Sequence, residues 1–88
     1  MITLKLTERE RGLIRLWIET MREQDGHWGD GAVEFPEERR VEEKLGAPEP
    51  SFTRVQLELI IDWAATAAIT DDERLLVRRI EEALKQNP

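Results

Sequence analysis

The stretch "TRVQLELIIDWAATAA", residues 53–68, decides the fold. Val55, Leu57, Leu59, Ile60, Ile61, Trp63, Ala64, Ala67 and Ala68 make it the most apolar helical pattern of the chain, while Glu58, Asp62 and Thr66 recur at i, i+4 and i+8. That spacing sets the three polar residues on one line of a helix, leaving a narrow polar stripe on an otherwise buried cylinder. Thr53 stands three residues before Gln56, where a hydroxyl caps the third amide of the helix and the Gln side chain reaches back. This is the central helix of a helical protein. Asp62 and Thr66 break the apolar run, so it does not span a membrane.

Working outward toward the C-terminus, Thr70 repeats the cap with Glu73 and opens a helix over 71–86, whose Leu76, Val77, Ile80, Ala83 and Leu84 face inward. On the N-terminal side, "GAPEPS" (46–51) is a stiff connector whose prolines preset an extended path. Before it, Pro36 at a first helical position, Glu37 and Glu38 in the first turn, Lys44 in the last and Gly46 beyond mark a short helix, 36–45. Val41 and Leu45 alone give that helix an apolar edge.

The N-terminal third supplies two more elements. "MITLKLT" alternates Ile2, Leu4 and Leu6 with Thr3 and Lys5, the period of a half-buried strand. Thr7 and Glu10 then form a capping box, and Leu13, Ile14, Trp17, Ile18 and Met21 make one stripe of a helix running to Gln24, with Arg11, Arg15 and Arg22 opposite. Gly26, Gly29 and Gly31 end it in a loop, and a three-residue strand is expected within "AVEF" (32–35). The helix starts "LTERERGLIRLWIETM" (6–21) and "ITDDERLLVRRIEEAL" (69–84) share Thr, Glu, Arg, Leu, Arg and Glu in register, as two helices that solved one capping problem alike. The expectation is a mainly α fold, residues 1–88 as one domain: a compact bundle of three to four helices with a short N-terminal β-strand.

With 88 residues and no cysteine, neither a disulfide framework nor a thiolate metal site supports the core, and packing must hold it. The cysteine count suits a reducing compartment, and "MITLKL" is too short for the apolar region of a signal peptide, so a cytoplasmic location is expected. Net charge is −6, and residues 23–49 hold that whole excess, with nine acidic and three basic side chains. Such a balance argues against nucleic acid as a default partner.

No reaction is legible. Asp25, His27 and Asp30 miss the calcium-loop spacing, which wants Gly at the sixth and Glu at the twelfth position where this loop has Asp30 and Pro36. One histidine without cysteine is too few strong ligands for zinc. No nucleophile has a recognisable base beside it, and the neighbouring acids are solvated charge. No metal, cofactor or enzymatic activity is expected.

"LTERERGLIRL" (6–16) resembles the start of the helix-turn-helix domain of quorum-sensing response regulators for about eleven residues, after which the glycine loop replaces that family's next helices. "MITLKLTERERGLIRLWIE" (1–19) is similar to the opening of ribbon-helix-helix repressors. That resemblance implies a DNA-binding dimer whose paired strands send Thr3 and Lys5 into the major groove. It is the alternative function.

The leading expectation is a small regulatory or accessory protein that binds another protein. Trp28 lies between His27 and Gly29, outside every apolar periodicity, where an aromatic ring serves as an interface anchor or folds back to plug the core. Asp30, Glu34, Glu37 and Glu38 follow in the acidic run, so Trp28, His27 and these four acids form the expected partner-binding set. A homodimer through the first strand or the exposed flank of the central helix is also expected.

Overall fold

The computed structural model describes residues 1–24 and 36–86, excluding the side chains of Arg22, Gln24 and Pro36. In chain order the elements are β1 (Ile2–Thr3), α1 (Glu8–Gln24), α2 (Pro36–Lys44), β2 (Ser51–Phe52), α3 (Arg54–Ala67) and α4 (Asp71–Gln86). The protein is mainly α, a helical bundle with a two-stranded antiparallel sheet at its N-terminal end. The expected "AVEF" strand falls outside the described residues.

All three predicted caps form. The Thr7 and Thr70 hydroxyls accept the amides of Glu10 (3.1 Å) and Glu73 (3.3 Å), and each glutamate accepts the threonine amide in return. Thr53 and Gln56 exchange the same pair of bonds at 3.1 and 3.0 Å. Each box satisfies amides that a helix start leaves without an intrahelical acceptor.

α3 touches α1, α2, α4 and β2, so it is central as expected. It is not buried all round. Gln56, Leu57, Ile60, Trp63 and Ala64 face the core, Leu59 and Ile61 are half-buried, and Val55 is 58% exposed. The cause is size: three further helices cover one side of a helix in so short a chain but cannot enclose it. Ile14, Trp17, Ile18, Leu76 and Ile80 meet α3 in one continuous core, which Val41 and Leu45 of the α2 segment join, both fully buried.

The connector between α2 and α3 does more than link them. Ile2 pairs with Phe52 and Thr3 with Ser51, and the same register continues as Leu4 and Leu6 donate to the carbonyls of Pro50 (3.0 Å) and Pro48 (3.0 Å). Proline accepts but cannot donate, so the ladder continues in one direction only beyond the strand. Ile2, Leu4 and Leu6 are buried on one side with Phe52, while Thr3 and Lys5 are exposed, matching the period-two pattern.

Candidate functional site

The two helix starts that look alike in sequence are locked to each other in space. Arg9 pairs with Asp72, each the second residue of its helix. The Glu10 carboxylate, besides capping α1, takes the Arg79 guanidinium of α4. Reciprocally, Glu73 caps α4 with Oε1 and accepts Trp17 Nε1 of α1 on Oε2 at 2.6 Å. Glu73 is only 5% exposed and Trp17 is fully buried. Burial pushes the Glu73 carboxyl up, but the bonds from Trp17, Thr70 and Ile69 outweigh it and hold the pKa below 4.5, so the carboxylate stays charged. Burial likewise raises Glu10, and the Thr7 amide with Arg79 brings it below the ordinary value. Sequence reasoning found Glu73 as a cap and missed its second role.

A second buried polar centre fixes α2. Gln56, 2% exposed, donates from Nε2 to Glu37 (2.8 Å) and accepts Lys44 Nζ (2.7 Å) on the oxygen that also caps α3. Both ends of α2 are thereby tied to the first turn of α3. The Gln56 bond, aided by Arg40 and Lys44, holds Glu37 below its usual pKa. At the far end, the Leu45 carbonyl accepts Arg15 (3.2 Å) and Arg11 (3.5 Å), cations placed at a helix C-terminus, where the dipole favours them. Arg11 and Arg15 therefore do not merely line a solvent face opposite the α1 stripe. They bridge α1 to α2.

Of the expected partner-binding residues, Glu37 and Glu38 lie side by side in the first turn of α2, with Glu37 engaged by Gln56 and Arg40 and Glu38 half-buried. Trp28, His27, Asp30 and Glu34 lie outside the described residues, as do Asp25 and the glycine loop. Among the described residues, no three His, Cys, Asp or Glu side chains converge on a metal position. No helix among them is long and apolar enough to cross a membrane.

β1 has its strand partner in its own chain. One edge pairs with residues 48–52, and on the other the Lys5 carbonyl accepts Arg79 Nη2 at 2.7 Å. Thr3 Oγ1 meets Ser51 Oγ at 2.7 Å. A ribbon shared between two copies, as in the ribbon-helix-helix arrangement or a strand-mediated homodimer, would use that other edge and displace the Arg79 bond to the Lys5 carbonyl.

Sequence reasoning also missed an open groove between the N-terminal halves of α1 and α4, where Leu13, Leu75 and Leu76 lie among charged residues of both helices. The helical periodicity of each segment was legible, but which two flanks meet depends on the long-range pairs Arg9–Asp72 and Trp17–Glu73. No family model, curated protein or solved structure matches this chain.

Proposed function

We propose that the chain is a small regulatory or accessory protein that acts by binding another protein through its acidic middle segment, residues 23–49, with Trp28 as the anchor. The observation that supports this most is the grip of buried Gln56 on Glu37 and Lys44. A helix with so little apolar surface is held on the core at both ends, which keeps Glu38, Glu42 and Glu43 in a fixed helical array. An array ordered in advance loses less entropy when a partner docks.

The partner carries a basic surface complementary to this segment, whose charge would steer and orient the encounter. Trp28, His27, Asp30 and Glu34 belong to the same acidic segment of the sequence. Trp17, Trp63 and Phe52 already supply the core with aromatic volume, which favours an outward Trp28 as anchor.

The test is affinity capture from the native host with wild type and Trp28→Ala side by side. The expected result is a captured protein whose recovery falls steeply with Trp28→Ala while folding stability changes by less than about 0.5 kcal/mol. A stability loss of about 3 kcal/mol or more, the range for emptying a core tryptophan site, would show that Trp28 plugs the core instead.

A further inference from the structure

The groove between α1 and α4 is apolar at its centre and neutral at its rim. Leu13 is half-buried and Leu76 buried, whereas Leu75 stands 58% exposed. Leu16, 50% exposed, follows Leu13 by three residues and so continues the same flank of α1. The charged residues of the groove are Arg9, Arg78 and Arg79 against Glu10, Asp72 and Glu82, three of each sign. The chain's net charge of −6 therefore lies entirely outside this face.

That distribution selects the occupant. Two copies of an anionic chain repel each other over most approaches, but not where the local charge cancels. Arg9 and Asp72 satisfy each other across the groove, as do Arg79 and Glu10. Arg78 and Glu82 remain, one turn apart on α4 and opposite in sign. A surface with one positive and one negative group beside exposed leucines is self-complementary under a two-fold axis, which sets each Arg78 against Glu82 of the other copy.

We propose that the α1/α4 groove is the docking surface for a second copy of this chain, giving a two-fold homodimer whose centre is Leu75 with Leu13 and Leu16. The dimer uses neither the first strand nor the flank of the central helix. It is also independent of the acidic segment.

Sedimentation equilibrium of the full chain, from the low micromolar range to several hundred micromolar, tests this. The expected result is a concentration-dependent dimer whose dissociation constant rises about tenfold or more in Leu75→Glu, with a native circular dichroism spectrum. Val55→Glu, altering an equally exposed residue of α3, leaves the constant unchanged. Arg78→Glu and Glu82→Arg each weaken the dimer, and the double exchange restores it. A monomer at every concentration would overturn the proposal, as would a dimer indifferent to Leu75→Glu or equally sensitive to Val55→Glu. Failure of the double exchange to restore the dimer would overturn the two-fold pairing. Loss of the dimer in Trp28→Ala would move the contact to the acidic segment and overturn it too. Capture of the heterologous partner persists in Leu75→Glu, so this inference and the proposed function fail separately.

Discussion

Glu73→Gln removes a charge at the α1/α4 junction with almost no change of volume. Glu73 Oε1 accepts Thr70 Oγ1 (2.9 Å), the Thr70 amide (3.2 Å) and the Ile69 amide (3.4 Å), so the Gln carbonyl must occupy that position to keep the cap. Its NH2 then faces Trp17 Nε1, a donor against a donor where the native pair stand 2.6 Å apart. Both residues are buried, so the indole N–H is left without its acceptor away from bulk solvent. Losing a buried bond to a charged acceptor costs about 1.5–3 kcal/mol. Losing a negative charge from the first turn of a helix adds about 0.3–1 kcal/mol. The expected destabilisation is thus about 2–4 kcal/mol in urea unfolding at neutral pH. In a Trp17→Phe background the indole donor is absent, and the same substitution costs only the helix-charge share of about 0.3–1 kcal/mol, a coupling of about 1.5–3 kcal/mol. A cost below about 0.5 kcal/mol, or one equal in both backgrounds, would refute the reasoning.

Glu10, Glu37 and Glu73 all have folded-state pKa values below 4.5, so their stabilisation is present above about pH 4.5 and is lost as the pH falls through the folded values. Urea midpoints should hold steady above that window and drop below it, with a shallower drop in Glu73→Gln; an unchanged acid limb would contradict the assignment. Gly12 sits inside α1 with nothing within 4 Å of an added Cβ, so Gly12→Ala should stabilise by about 0.5–1 kcal/mol in chemical denaturation, and a loss would reveal a contact that the fold does not contain. Gln56→Ala removes the side-chain bonds that tie both ends of α2 to α3, and hydrogen exchange should accelerate first at the amides of residues 39–45; uniform acceleration would mean that α2 does not depend on this grip.

The helices were legible because their signals are local. Thr7, Thr53 and Thr70 each precede their capping partner by three residues, and the stripes of α1 and α4 repeat every three to four. The role of residues 48–52 was hidden because two prolines read as a stiff connector. Yet Pro50 and Phe52 are both buried, a period-two signal that proline's lack of an amide donor disguises. The second bonds of Glu73 and Gln56 were not legible either. Each residue already had a sufficient local explanation as a cap, and its distant partner is separated by 56 residues for Trp17 and by 19 for Glu37. Val55 shows the converse error, since apolar density in α3 suggested burial everywhere but one narrow polar stripe, more than a chain of this size supplies. Ten of the thirteen basic residues are arginines, a bias without meaning in sequence. In the fold, Arg11, Arg15 and Arg54 reach the C-terminal carbonyls of neighbouring helices, and Arg9 and Arg79 join α1 to α4.

The proposed function stands on the acidic segment as a binding surface, and one comparison reaches it directly. The protein captured from the host is titrated against wild type and against Glu38→Lys/Glu42→Lys/Glu43→Lys, with α2 order verified by hydrogen exchange, at low and high salt. The account predicts that the triple variant binds about tenfold or more weakly at low salt and that the two curves converge as salt screens the charge. Equal affinity of the two proteins at low salt, with α2 intact in both, would contradict it.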